Sequence, residues 1–336
     1  MVDRTPVPRK ISIENTTPDL ALRERKSFSI LKTFGVDLGE NEDGSSRDQE
    51  VVGYSQPTEH TPTLNPNYVF PRDPTLALLL GMTCQDPVLL VGHTGTGKTS
   101  LVEQVAARIN YDVIKVSYDC AVTRSDVIGE WVVKGNEMEF QYGVVPMAIQ
   151  RPGTILLLDE WDAQNAETAY ALQRLMQKED RKLFVLETKT LIPMHPDNVI
   201  CATANTNGQG DDTGLYGAGT RVQSYASLNR FQTTIKLDFL PPEEEARIIY
   251  NTFPGEGLDK IEVDAIIQAI GKVRDGFANN QLSVPLSTRD AINWADKYVK
   301  FGDIMRAATF CFLNRMSDSD ARVTEQIIRR IFHEDM

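Results

Sequence analysis

Apolar residues along this chain fall into two rhythms that change places near residue 240. Up to that point short apolar runs recur, Val88–Val91, Asp112–Ser117, Thr154–Leu158, Val199–Thr203 and Thr233–Leu237, each of strand length. Helical stripes lie between them. Leu101, Val102, Val105, Ala106 and Ile109 share one face, as do Ala169, Leu172 and Met176 within 165–178, and shorter helices are predicted over 74–82, 124–129 and 146–150. Two stretches alternate about a turn, Trp131–Phe140 around 134–136 and Lys182–Ile192 around 187–188, and read as hairpins. Beyond Pro241-Pro242 only the helical rhythm continues, over 243–253, 264–274, 288–299, 303–316 and 321–332. Strands alternating with helices predict an α/β unit with a parallel sheet, and the helical remainder predicts a lid.

The first 65 residues or so follow neither rhythm. They are rich in Pro, Thr, Ser, Asp and Glu, and the stretch Gly39–Glu50 is too polar to order itself. Within this arm Phe28–Phe34 reads as one short amphipathic helix ending at Gly35, suited either to docking on a partner or to packing on the chain's own core. The expected division is therefore an arm over 1–63, an α/β domain over 64–240 and a helical lid over 241–336.

Composition narrows the class without naming a chemistry. A chain of 336 residues, 41% hydrophobic and 24% charged, holds about two globular domains. No run approaches the roughly 18 apolar residues of a membrane span, and the first residues lack an apolar signal core, so a cytoplasmic protein with no membrane partner is expected. With 35 Lys plus Arg against 47 Asp plus Glu, the net charge of −12 argues against broad nucleic-acid binding. Cys84, Cys120, Cys201 and Cys311 stand far apart, as do His60, His93, His195 and His333, so no metal-binding spacing appears and the cysteines read as buried, reduced thiols.

The candidate chemistry begins at Gly92-His93-Thr94-Gly95-Thr96-Gly97-Lys98-Thr99-Ser100, which fits G-x-x-x-x-G-K-[ST] between a strand and a helix. Such a loop turns successive N–H groups and a helix N-terminus toward one anion. Lys98 is expected to reach the β- and γ-phosphates of ATP, and Thr99 to ligate Mg²⁺. A second apolar strand ends in Asp159-Glu160, which supplies an acid for the magnesium and one to polarise the attacking water. Asp162 reads as a helix cap or fold residue. Asn205, just past a strand, either holds the attacking water or forms a turn. Tyr68 or Phe70 either flanks the base or joins the core. The Gly-rich stretch 207–219 is too polar for core and too long for a plain turn. Arg221 and Arg230 follow it; Arg230, in Leu228-Asn229-Arg230-Phe231, either reaches a neighbouring subunit's site or is an exposed helix arginine. Arg289 stands near the start of a lid helix.

In this order the motifs resemble the AAA+ ATPases of the MoxR group over about 65–315, and more narrowly the small ATPase subunits of aerobic cobaltochelatases. Gly92–Thr99 is similar to that group's Walker A, Ile155–Glu160 to its Walker B, Asn205 to sensor 1, Arg230 to the trans-acting arginine finger and Arg289 to sensor 2. The hairpins near 131–142 and 182–192 resemble its helix-2 insert and pre-sensor hairpin. The narrower likeness rests on Glu103–Arg108, Thr203–Thr206, Gly208–Tyr216, Trp294-Ala295, Phe301–Ile304 and the segment Ser29–Asp37. Three positions depart: Asn229 stands where Asp is usual, Thr288 where Pro is usual, and Thr94–Gly97 where those subunits carry His-Gly-Thr-Gly.

The resemblance implies a ring-forming ATPase, a hexamer, using ATP and Mg²⁺. It also implies a von Willebrand A-type partner (CobT-like) and a large chelatase subunit (CobN-like) that inserts Co²⁺ into hydrogenobyrinic acid a,c-diamide. The alternatives are an activator of another metalloenzyme, a phage-borne relative with a different client, and a nucleotide-gated, DNA-associated module.

Overall fold

The computed structural model describes residues 9–10, 23–41, 46–119, 121–210, 215–216, 219–255 and 257–334. In chain order it begins with β1 (Arg9–Lys10), β2 (Arg25–Ser29), α1 (Ile30–Phe34), β3 (Glu50–Tyr54), α2 (Arg72–Cys84), β4 (Val88–Val91), α3 (Lys98–Ile109) and β5 (Asp112–Ser117). There follow α4 (Arg124–Ile128), β6 (Gly129–Lys134), β7 (Glu137–Tyr142), α5 (Val144–Gln150), β8 (Thr154–Asp159), a 3-10 turn (Trp161–Ala163) and α6 (Ala166–Leu172). Next are β9 (Lys182–Val185), β10 (Thr190–Pro193), β11 (Val199–Ala204), α7 (Tyr225–Leu228) and β12 (Thr233–Lys236). The last helices are α8 (Pro242–Thr252), α9 (Lys260–Ala278), α10 (Thr288–Phe301), α11 (Ile304–Cys311) and α12 (Asp318–Glu334).

Five strands form one parallel sheet in the order β12-β4-β11-β8-β5. Because successive side chains alternate between faces, Leu89, Leu156, Leu158, Ile200 and Ala202 pack into one apolar cluster. Val88, Leu90, Ile155, Leu157 and Cys201 pack into another on the opposite face. Both faces are covered by helices, which is why these strands read as continuous apolar runs. The β4–α3 and β8 ends lie together at the C-terminal edge of the sheet, where parallel α/β sheets bind their ligands.

The lid has its own core. Trp294 is fully buried, donates from Nε1 to the Ile304 carbonyl at 3.0 Å and meets Phe312 edge-on at 5.3 Å. Among the described residues no helix is long and apolar enough to cross a membrane.

Several expectations need correcting. The stretch 165–178 is not one helix: α6, capped by Asn165, stops at Leu172 and the chain continues in turns. Cys84 is exposed at the end of α2, so not every cysteine is buried, while Cys201 is; Cys120 lies outside the described residues.

The short N-terminal helix packs on the chain's own core. Ser29 caps it by accepting from Lys32 N at 3.0 Å, Gly35 closes it, and Ile30 and Phe34 bury with Val51, Tyr54, Leu101 and Ile109. Strands β2 and β3 pair antiparallel beside it. Gly53 presses so closely that a Cβ there would stand 2.2 Å from the Ile109 carbonyl oxygen. The buried Asp112 carboxylate then ties the segment down, accepting from Thr58 and Thr61 hydroxyls at 2.6 and 3.0 Å and pairing with Arg23 and Arg151. Composition averaged over the arm hid the two five-residue strands that flank the polar stretch Gly39–Glu50, of which residues 42–45 lie outside the described residues.

Candidate functional site

The phosphate loop is anchored by the strands on either side of it. Gly92 N donates to the Ala204 carbonyl at 3.3 Å and Leu237 N to the Val91 carbonyl at 2.7 Å, so the loop leaves the sheet clamped between β11 and β12. Gly95 has φ +77°, and a Cβ on it would meet the Ser287 Cβ at 2.3 Å. Glycine is therefore required there for conformation and for space. The lid residue Ser287, which caps α10, sits directly on the loop.

Lys98 begins α3 and points back into the loop. Its ammonium donates to the Gly92 and His93 carbonyls at 2.7 and 2.9 Å and to Asn205 Oδ1 at 2.9 Å. Burial pushes its pKa down to about 8, against the opposing charges of Asp162, Asp159 and Glu160. Thr99 Oγ1 donates to Asp159 Oδ1 at 2.7 Å, and Thr203 Oγ1 donates to the same oxygen at 2.6 Å. A hydroxyl beside a carboxylate is a hard-oxygen donor pair of the kind that magnesium accepts, so these residues fit that ion.

Glu160 follows β8 in the left-handed region, φ +55°, which turns the chain sharply into the 3-10 turn. Its backbone N–H donates to Thr203 Oγ1 at 3.1 Å. Burial, then the neighbouring Asp159 and Asp162 carboxylates, raise its pKa above the usual carboxylate range, partly offset by Lys98. Thus Lys98, Thr99, Asp159, Glu160 and Asn205, distant in sequence, converge at one sheet edge.

Beside the loop lies a cavity of about 530 Å³ between α/β core and lid. Gly95, Thr96, Gly97 and Ser100 line it from the loop, Tyr68 from the segment before α2, and Arg289 from the start of α10. Tyr68 thus borders the cavity, whereas Phe70 packs edge-on against Phe34 at 5.1 Å and under the Arg108 guanidinium at 4.5 Å. Arg230 stands apart from this group: its guanidinium donates to the Gln173 carbonyl at 3.5 Å and to Gln173 Oε1 at 3.2 Å.

Sequence reasoning gave four contributors no partner in the site. Thr203 is the bridge between Asp159 and Glu160, signalled in the sequence by a hydroxyl near the end of an apolar strand and by its place in the segment Thr203–Thr206 that carries the narrower likeness. Tyr216, in the Gly-rich loop, places its hydroxyl 3.0 Å from His93 Nδ1 and 3.2 Å from Thr94 N; residues 211–214 and 217–218 lie outside the described residues. Asp162, read as a helix cap or a fold residue, takes the second role, its carboxylate accepting from the two residues that follow β11. Finally, Glu245 accepts from Thr288 Oγ1 and pairs twice with Arg274 at 2.8 Å, joining α8, α9 and α10 behind Arg289.

Comparison with known proteins gives the fold a lineage. Residues 87–216 match the family described as "AAA domain (dynein-related subfamily)". The chain is 34% identical to the aerobic cobaltochelatase subunit CobS of Sinorhizobium sp over 312 residues, covering 91% of this chain and 90% of that protein. It is 26% identical to the protein NorQ of Paracoccus denitrificans (strain Pd 1222), covering 76% of this chain and 89% of NorQ. Among solved structures the Thermotoga maritima RuvB Holliday junction branch migration motor aligns with a TM-score of 0.44 and 17% identity, over 76% of this chain and 66% of that one.

Proposed function

The chain belongs to the MoxR-group AAA+ ATPases, and from that premise we propose that it is a ring-forming MgATP hydrolase, the ATPase subunit of an aerobic cobaltochelatase. The hydrolase reading is carried by the convergence of Lys98, Thr99, Asp159, Glu160 and Asn205 at the sheet edge. The chelatase reading is supported by a likeness to CobS that runs nearly the full length of both chains.

The roles follow from position. The loop N–H groups and Lys98 bind the phosphates, and the cavity lined by Tyr68 and Arg289 takes the rest of the nucleotide. Thr99 and Asp159 would hold magnesium, which would neutralise phosphate charge when bound. Glu160 accepts the proton of the attacking water, and Asn205 orients that water from beside Lys98. Arg230 lies outside its own chain's loop cluster and serves a neighbouring copy in a hexameric ring, while Arg289 carries lid position to the nucleotide. On this reading residues 64–240 form the motor core and 241–336 the lid. The ring works in the cytoplasm with a von Willebrand A-type partner and a large subunit that holds cobalt and corrin.

A second reading keeps the motor and changes the client. The NorQ match, 26% identical over 89% of that protein, supports the shared motor without specifying a cobalt client, and activation of another metalloenzyme is the alternative. Turnover of ATP by the purified chain is the first test, alone and then with the candidate partner, the large subunit, Co²⁺ and hydrogenobyrinic acid a,c-diamide. Insertion that depends on hydrolysis supports the chelatase; turnover without insertion moves the client elsewhere; absence of turnover in every mixture overturns the hydrolase reading.

A further inference from the structure

Asp162 is fully buried within the turn after Glu160, yet its carboxylate serves another strand. Oδ2 accepts three hydrogen bonds: from Asn205 N at 3.0 Å, from Thr206 N at 2.9 Å and from Thr206 Oγ1 at 2.9 Å. Oδ1 is buried without a hydrogen-bond partner among the described residues. The backbone of the same residue is fixed as well, because its carbonyl accepts from Arg221 N at 2.8 Å and from Gln223 Nε2 at 3.2 Å. A buried carboxylate is costly unless it is well bonded, and here all its hydrogen bonds go to the two residues that follow β11.

Those bonds decide where Asn205 points. At the end of a strand a residue has left the ladder and its backbone is free to turn. Asn205 is pinned at the amide by Asp162 and at the side chain by the Lys98 ammonium, 2.9 Å from Oδ1. Without the first anchor the second would have to order the strand end alone.

We propose that Asp162 is a positioning residue for hydrolysis, whose carboxylate sets the end of β11 so that the Asn205 side chain meets the Lys98 ammonium. The inference rests on the hydrolase reading above and adds a residue to that machinery. A cap or core role would be satisfied by stability alone; a positioning role requires that chemistry suffers more than nucleotide binding does.

The test is Asp162→Ala in the full chain, because an Asn oxygen could still accept all three hydrogen bonds made to Oδ2, with Thr206→Val as a milder variant that keeps the carboxylate and removes one donor. Turnover (kcat) should fall by about tenfold or more in Asp162→Ala and by about threefold in Thr206→Val, while the Kd of a nonhydrolysable ATP analogue changes by less than about twofold. In the double variant Asp162→Ala/Asn205→Ala, kcat should be no lower than in Asn205→Ala alone, because the first residue acts through the second. Unchanged kcat, equal losses of kcat and binding, or fully multiplicative losses in the double variant would overturn the proposal. Amide hydrogen exchange keeps the test independent of the hydrolase reading. If the parent chain turns over no ATP, that reading fails, but faster exchange at Asn205 and Thr206 in Asp162→Ala, with Arg221 unchanged, still supports the positioning, and unchanged exchange at all three sinks it.

Discussion

Thr99 Oγ1 donates to Asp159 Oδ1 at 2.7 Å, joining the first turn of α3 to the end of β8. The two residues are sixty positions apart, so their contact tests the site as a unit. Thr99→Ala removes one oxygen donor and leaves Asp159 with the Thr203 hydroxyl. The magnesium concentration for half-maximal turnover should rise by about tenfold, the worth of one charge-assisted contact, with the maximal rate largely restored at high magnesium. A titration of activity against magnesium reads it.

Glu160→Gln should keep nucleotide and lose hydrolysis. The amide preserves shape but cannot accept the proton, so kcat should fall by about 10²–10⁴-fold with the ATP Kd little changed. Normal turnover in this variant would remove Glu160 from the base role.

Lys98 gives a pH dependence with a definite sign. Its ammonium, at about 8 without nucleotide, gains phosphate charge on binding, so its pKa is higher in the complex. Binding then takes up a proton above pH 8. Affinity for an ATP analogue should be flat with respect to this group below pH 8 and fall as pH rises, at most about tenfold per unit, until the pKa of the complex is reached. Lys98→Arg should flatten that limb, since a guanidinium does not titrate there.

Arg230→Ala should bind ATP and lose turnover by about 10³-fold or more, the cost typical of removing an arginine finger. Mixing with Glu160→Gln subunits should restore activity, because each variant supplies what the other lacks. Gln173→Ala, which removes the Oε1 partner and leaves the backbone carbonyl, should change turnover far less.

How much of this was legible depended on distance along the chain. Gly92–Thr99 and Asp159-Glu160 are local patterns whose chemistry is written in consecutive residues, and the parallel strands announced themselves as apolar runs. Arg230 reads either as an exposed helix arginine or as one reaching a neighbouring subunit until the resemblance matches it to an arginine finger, and its contact with Gln173 could not be read because it crosses 57 positions. Asp162 could be read as a helix cap or a fold residue but not matched to its partners for the same reason: they lie more than forty positions away, just past β11. The N-terminal hairpin escaped because five strand residues were diluted by polar neighbours. Thr288, a departure from the usual Pro, finds its explanation only in space, where its hydroxyl reaches Glu245.

That contact leads to a stability prediction. Glu245 is buried and bonds Arg274 through both oxygens, while the Arg274 guanidinium lies 4.0 Å from the Phe239 ring centroid. Glu245→Ala leaves a largely buried cation without its partner and should destabilise the lid by about 3–5 kcal/mol. Thermal unfolding would show a lowered first transition, with hydrolysis failing at a lower temperature than in the parent.

The closeness of Gly53 to Ile109 bears on how the protein can be handled. A chain trimmed at the polar border, to begin near Leu64, would lose the layer that Ile30, Phe34, Val51 and Tyr54 lay over α3. The exposed floor would be contiguous and apolar, the kind of surface on which copies stick to one another. Such a shortened chain should be recovered as aggregate at expression temperatures where the parent stays in solution, even though its phosphate loop is untouched.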